Sequence, residues 1–421
     1  MDVLAVTRSI SVIQDLHMCS RQERIGHSIS RFSATIQGNM KALQQFLPKQ
    51  FSKKFRTPCW FSPYHVPSWV TERFMHIPAV RQPIFDNKVA SSIIQEVFDS
   101  KSQHSQNLFC LPNVHLAGFP KCGTTALYYM IVAHPQVAKP SGKEGHFWTT
   151  FATEGSYIDK QIHYLWYLTH FKPAAEKIQK SPRSITIDGS PSTLWGYNHS
   201  PIPTSELCLM PSVISSVAPN TKFIVIMRDP GKRLHSDFWY FCANHNWRHN
   251  GKVIIPKHYI KEGEEIFHNL TVQAIASFQS CIKMGISKFE CVRRATVGYN
   301  VSDCTELRLG IGLYYYHIVK WLNVVPRENF LFLRTEDLAA DPYSVMKQVW
   351  SFLQLKPQNK ESLMTLLKKQ EWNVNNWIKS KKYKDSFTIL PETVELLKTF
   401  YKPHNELLAQ LLSDHKYTWN S

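Results

Sequence analysis

The sequence predicts an α/β protein, a P-loop-like parallel sheet flanked by helices, on three observations. The run N-V-H-L-A-G ends at Gly118 and reads as a buried strand. A tight loop follows, Gly118-Phe119-Pro120-Lys121-Cys122-Gly123-Thr124-Thr125, and Thr124–Met130 then carries helical periodicity. Thr221–Met227 is a near-continuous apolar run with β-branched residues, as in a parallel strand buried on both faces. It ends at Arg228-Asp229-Pro230, where Pro230 is suited to open a helix. Strands alternating with helices give a parallel sheet that binds ligands at the strand C-terminal ends, and both loops fall at such ends.

The other elements follow in order. Residues 60–110 mix Pro, aromatic and polar residues with one helical patch, Lys88 to Asp99, and read as a stem or wrapping segment. Pro140-Ser141-Gly142 is a turn that puts Glu144 on a loop. Residues 155–180 are helical and aromatic-rich, and Ser184–Gly189 is a short strand running into Ser190-Pro191-Ser192. Pro230 to Asn244 is a helix. Residues 245–300 read as an insertion, with a turn at His249-Asn250-Gly251-Lys252 and a helix from about Glu264 to Met284. Glu306–Asn323 reads as helix and Asn329–Arg334 as strand. Asp341 as N-cap and Pro342 at the first position start a helix whose apolar face is Val345, Val349, Phe352 and Leu353. A last helix runs from about Pro391 to Leu412. The expected division is a stem region over 1–107 and a catalytic domain over 108–421 with an insertion near 245–305.

Composition narrows the class. Hydrophobic content of 43% supports a large core, and 13% aromatic with 19% charged residues is globular, not disordered. The formal net charge of +17 attracts polyanions. The basic residues are spread, without a nucleic-acid tail; Lys379-Ser380-Lys381-Lys382-Tyr383-Lys384 is the densest run. The nine cysteines include no C-x-x-C pair and no Cys/His spacing for zinc. Cys281, Cys291 and Cys304 are close enough in sequence to supply a disulfide. Three sequons begin at Asn198, Asn269 and Asn300, and with the clustered cysteines they point to the secretory pathway. Met1–Lys54 holds no apolar run of about 18 residues and no clear signal-peptide core, so no membrane anchor is visible there.

The loop at Gly118 is built to meet an anion. Strand, Gly-bearing turn and helix aim backbone N–H groups and a helix dipole at a phosphate. Lys121 adds a charge, and Thr124 and Thr125 add hydroxyls. The glycine spacing matches the nucleotide P-loop, but Thr124, not Lys, follows Gly123. That departure argues against an ordinary ATPase or kinase.

Here the residues carry a resemblance. G-F-P-K-C-G-T-T resembles the 5′-phosphosulfate loop of sulfotransferases that use 3′-phosphoadenosine 5′-phosphosulfate (PAPS). Lys143-Glu144-Gly145-His146-Phe147-Trp148 resembles that family's catalytic segment, and Arg228-Asp229-Pro230 with Arg233 and Ser236 resembles its 3′-phosphate motif. Ser190–Trp195, Arg308–Tyr314 and Phe400–Gln410 are similar to the carbohydrate branch that sulfates the 6-hydroxyl of N-acetylgalactosamine 4-sulfate. The resemblance implies a sulfotransferase-type domain with PAPS as donor and no metal. It implies a sulfated glycosaminoglycan acceptor, chondroitin or dermatan sulfate, not nucleic acid. It also implies a Golgi location with membrane association.

Sulfuryl transfer needs a base for the acceptor hydroxyl, stabilisation of the leaving phosphate and in-line placement. From the residues alone Glu144 reads as a loop carboxylate paired with Lys139 or Lys143; the resemblance makes it the base, with His146 orienting the acceptor or sharing its proton. Asp188 is the other fallback base. Lys121 meets the bridging oxygen, and Cys122, Gly123, Thr124 and Thr125 complete the donor loop. Arg228 and Ser236 hold the 3′-phosphate. Arg233 either joins them or pairs with Asp237. Cys122 suits a small packed residue better than a reactive thiol. Trp195 and Tyr197 are candidates for a sugar cleft or for core packing. The competing function is a catalytically silent, basic glycan- or nucleotide-binding protein of the same fold, and a variant nucleotide kinase ranks last.

Overall fold

A computed structural model of the chain describes residues 41–66 (apart from 42, 44, 49 and 65), 87–100, 107–151, 157–196, 209–244 (apart from 219), 248–249, 252–253, 257–296, 306–369 and 388–420. Tyr197, Cys304, the sequons at Asn198 and Asn300 and the basic run at Lys379 lie outside the described residues.

In chain order the strands are β1 (Cys59–Ser62), β2 (Asn107–Cys110), β3 (Val114–Gly118), β4 (Val137–Ala138), β5 (Ile185–Asp188), β6 (Lys222–Met227), β7 (Arg248–His249), β8 (Lys252–Val253) and β9 (Phe330–Arg334). The helices are α1 (Asn87–Asp99), α2 (Thr124–Val132), α3 (Phe147–Phe151), α4 (Tyr157–His170), α5 (Lys172–Lys180), α6 (Leu209–Val217) and α7 (Pro230–Asn244). Then come α8 (Lys257–Lys283), α9 (Lys288–Thr296), α10 (Tyr314–Leu322), α11 (Thr335–Ala340), α12 (Pro342–Phe352), α13 (Lys360–Lys369) and α14 (Pro391–Leu412).

The central sheet is parallel, in the order β4-β5-β3-β6-β9. β3 is fully buried, and so are Phe223–Met227 of β6, which explains their unbroken apolar sequences. The chain leaves β3 toward the β4–β5 edge and later crosses to β6 and β9. The C-terminal end of β3 is therefore a topological switch point, where such sheets open a crevice for ligands.

Segments N-terminal to the sheet pack onto it. β1 and β2 form a two-stranded antiparallel sheet pinned by the Cys59–Cys110 disulfide. Phe46 stacks on Phe98 of α1 at 5.5 Å and meets Tyr164 of α4 at 6.2 Å. A second disulfide, Cys281–Cys291, ties α8 to α9. The sequence pointed to the Cys281 group but not to Cys59 with Cys110.

Two element readings are corrected. The long insertion helix starts at Lys257, one and a half to two turns before Glu264. Glu306–Asn323 is not one helix: Leu309–Gly312 is a 3-10 turn, and α10 begins only at Tyr314. The cause is close approach. A Cβ on Gly310 would stand 2.5 Å from the Val292 carbonyl oxygen and 2.5 Å from Thr296 Oγ1, both on α9. In α12 the cap is as read, with Asp341 Oδ1 accepting from the Ser344 N–H at 3.1 Å. Asn269 lies within α8, and the Thr271 hydroxyl of its sequon is buried and donates to the Phe267 carbonyl.

Candidate active site

The loop after β3 is fixed at its root and open at its tip. The Phe119 N–H donates to the Ile226 carbonyl at 2.8 Å, and the Phe119 ring is buried 4.7 Å from Tyr314. Lys121 has φ +66° and Gly123 φ +81°, so the chain turns through left-handed backbone twice before α2. Gly123 is the N-cap of α2. Among the described residues, the backbone N–H groups from Lys121 to Thr125 meet no protein acceptor. This is a cradle of free amides at a helix N-terminus.

Lys121 Nζ lies 3.8 Å from the centre of the Tyr240 ring. Burial lowers its pKa to about 8; Asp237 opposes the fall, while Arg308, Arg228 and Arg233 add to it. The Cys122 thiol is fully buried beside the Tyr314 hydroxyl at 3.6 Å, and burial pushes its pKa up to about 11. Cys122 can therefore serve an anion only through its main chain.

Glu144 stands where Lys143 also reaches the loop. Lys143 Nζ pairs with Glu144 Oε1 and lies 3.5 Å from Thr124 Oγ1. His146 Nε2 is 2.8 Å from Glu144 Oε2, and its Nδ1 is 2.8 Å from Ser192 Oγ. Burial pushes the Glu144 carboxyl up, but the His146 hydrogen bond and the Lys143 and His146 charges outweigh it and hold the pKa at about 2. The backbone is held from the loop after β5. Ser190 Oγ accepts from the Gly145 and His146 N–H groups at 3.1 and 2.9 Å, and the Gly189 N–H donates to the Lys143 carbonyl at 2.9 Å. Asp188 is fully buried and accepts from the Ser190 N–H and the Tyr167 hydroxyl, so it braces this loop instead of facing a substrate. Trp195 is also buried, with its Nε1 donating to the Pro191 carbonyl at 2.9 Å, and is no open sugar platform.

The turn after β6 is tied to the loop after β3 by two residues. The Tyr314 hydroxyl donates to the Arg228 carbonyl at 2.9 Å while touching Cys122. Thr335 Oγ1 bonds the Cys122 and Met227 carbonyls at 2.6 and 3.0 Å. Glu336 Oε1 accepts from the Asp229 N–H at 2.9 Å, and Asp229 Oδ1 caps α7 by accepting from the Lys232 N–H at 2.7 Å. Arg228 and Ser236 are half-buried at this turn and on the following helix, free of that capping work. Arg233 takes the pairing reading: it is fully buried, with its guanidinium 3.3 Å from Asp237 and donating to the Arg308 carbonyl at 3.0 Å.

Residues 111–395 match the sulfotransferase domain family. The chain belongs to that family. Human and mouse carbohydrate sulfotransferase 15 are each 27% identical to it, covering 89% of this chain and 67% of the relative. Mouse heparan sulfate glucosamine 3-O-sulfotransferase 3B1 is 27% identical over 72% of this chain and 63% of its own. A solved sulfotransferase from Alicyclobacillus acidocaldarius has a TM-score of 0.43 at 17% identity, over 74% of this chain and 99% of that one.

In this sulfotransferase the sequence located Lys121, the loop residues to Thr125, Glu144, His146, Arg228 and Ser236 at one end of one sheet. Of the two lysines named as pairing partners for Glu144, the structure shows Lys143; the sequence missed Ser192 beside His146, Thr335 and Glu336 under the loops, and the Asp237–Arg308 pair. Ser192 and Arg308 fall in segments the resemblance had marked, which was the available signal. Thr335 and Glu336 carried only their place after a strand.

Proposed function

We propose that this sulfotransferase moves a sulfuryl group from PAPS to a glycan hydroxyl, the 6-hydroxyl of N-acetylgalactosamine 4-sulfate in chondroitin or dermatan sulfate. One observation carries the reading: the free amides and Lys121 of the loop after β3 stand in one hydrogen-bonded frame with Glu144 and Arg228. The amides of Lys121–Thr125 and the Lys121 ammonium suit the 5′-phosphosulfate, and Arg228 and Ser236 suit the 3′-phosphate. Glu144 takes the acceptor proton as the new O–S bond forms and the bond from sulfur to the bridging oxygen breaks. Lys121 meets the charge that develops on the departing phosphate.

With Lys143 and His146 on its oxygens, Glu144 is a weak base in the free protein. Lys143 also reaches Thr124, so the incoming donor's charge draws Lys143 toward the loop and raises the basicity of Glu144. His146, fixed through Ser192, orients the carboxylate. A silent binding protein of the same fold is the second reading, favoured by that engaged carboxylate. The +17 charge fits a polyanionic acceptor, and the two disulfides fit an oxidising compartment such as the Golgi lumen. No helix among the described residues is long and apolar enough to cross a membrane.

The test is incubation with radiolabelled PAPS and a panel of chondroitin, dermatan and heparan sulfates, phenols and simple alcohols. Label in chondroitin 4-sulfate, recovered after lyase digestion as a 4,6-disulfated disaccharide, is the expected result. Label in no glycan overturns the proposal.

A further inference from the structure

Asp237 on α7 holds Arg308, which precedes the 3-10 turn, in a two-pronged contact: Arg308 Nε donates to Oδ2 at 2.9 Å and Nη2 to Oδ1 at 2.5 Å. The same carboxylate faces Arg233. One negative charge is thus shared between two guanidinium groups, and one positive charge is left over. Arg233 is 0% exposed and Arg308 11%, so the excess faces out through Arg308. The Arg308 guanidinium is also gripped by rings, 4.2 Å from Phe241 of α7 and 5.4 Å from Trp195. Its remaining N–H groups meet no acceptor among the described residues. A guanidinium with its plane fixed by a carboxylate and two rings, and N–H groups to spare, is preorganised for an oxyanion.

Its position shows which anion. Trp195 ends the loop whose Ser190 and Ser192 hold Gly145 and His146, so Arg308 adjoins the wall that carries Glu144. The donor's anionic sites are already provided by the loop amides, Lys121, Arg228 and Ser236. We propose that Arg308 is an acceptor-side anion receptor, whose N–H groups left free by Asp237 take an anionic substituent already carried by the acceptor glycan, a sulfate ester or a uronate carboxylate. The inference rests on the glycan-sulfotransferase reading of the site and makes Arg308 the residue that selects an acceptor already bearing charge.

The experiment is calorimetric binding to the full chain saturated with adenosine 3′,5′-bisphosphate (PAP). The ligands are chondroitin 4-sulfate hexasaccharide, its 4-desulfated form and its carboxyl-reduced form. Wild type prefers the oligosaccharides that keep the recognised anion. In Arg308→Gln that preference falls by roughly 10- to 100-fold, the size of a charge-assisted contact, with PAP affinity unchanged. The arm in which the preference collapses separates sulfate from carboxylate. Arg308→Gln leaves Asp237 paired one-to-one with the buried Arg233, so the carboxylate keeps a counter-charge; Arg308→Lys, which keeps the charge but not the two-pronged fork, is measured beside it and is expected to restore part of the preference. Equal weakening of all three ligands, as a contact to the donor's sulfuryl group or a structural role gives, overturns the inference. So does a wild type that binds all three alike. A preference that collapses in a protein that transfers no label upholds the receptor and refutes the transferase reading; label transfer with no such collapse does the reverse.

Discussion

Lys121 takes a left-handed turn to lay its ammonium on Tyr240, among Arg228, Arg233 and Arg308. Burial puts its pKa at about 8, and an anionic nucleotide favours its protonated form. Affinity for PAP therefore falls as pH rises through about 8, with proton uptake on binding in that range, measurable by calorimetry in buffers of different ionisation enthalpy. Lys121→Ala is expected to cost on the order of 10²–10³ in turnover with the fold intact; single-turnover rates within a fewfold of wild type would remove Lys121 from the mechanism. Arg228→Ala is expected to lose roughly 1.5–3 kcal/mol of the preference for PAP over its 3′-dephosphorylated analogue, and a variant that discriminates the two as well as wild type would move the 3′-phosphate site elsewhere. Glu144 has a folded pKa of about 2 against an ordinary 4.5. The stability its partners supply is fully present above about 4.5 and is lost as pH falls through about 2. Lys121 and Arg228 were legible in the sequence because each is a cation following a strand; Glu144 was legible only through the resemblance of its segment, since the short strand before it, β4, has no sequence signal of its own. Their partners were not: Ser192 reaches His146 across 46 residues and Arg308 reaches Asp237 across 71, and no local pattern encodes such pairings.

The elements divide in the same way. β6, α12 and α14 lie where composition put them, since burial on both faces, an Asp-Pro cap and a long amphipathic period are local properties. The segment 306–323 misled because its apolar spacing is helical while Gly310 serves contact with α9 and Gly312 contact with Tyr401 and Pro230. Gly310→Ala must push against the Val292 carbonyl, a backbone atom that cannot swing aside. The expected loss is about 1–3 kcal/mol in urea unfolding, with activity reduced in the folded fraction because Arg308 lies two residues away. Unchanged stability would show that α9 does not pack there.

At the scale of the whole molecule, the sheet order places the loops after β3, β4, β5 and β6, which carry Lys121, Glu144, Ser192 and Arg228, at the C-terminal end of one parallel sheet. The alternation of elements foretold a parallel sheet, but not the order of its strands or the two-stranded antiparallel sheet that the Cys59–Cys110 bond pins, which pairs segments 51 residues apart. In the loop-entropy account that bond is worth about 4 kcal/mol and the 10-residue Cys281–Cys291 link about 3. Cys59→Ser/Cys110→Ser is therefore expected to lower the thermal midpoint more than Cys281→Ser/Cys291→Ser, and the reverse order in calorimetric scans would show that the Cys59–Cys110 bond is not the stronger staple. In the proposed sulfuryl transfer a carboxylate base stands opposite an amide cradle. Glu144→Gln keeps the shape and removes the proton acceptor, so the direct measurement is its turnover with PAPS and chondroitin 4-sulfate beside its affinity for PAP. Turnover is expected to fall by roughly 10²–10⁴ with nucleotide affinity little changed; a variant that turns over normally, or that loses nucleotide binding in proportion to rate, would show that Glu144 is not the base.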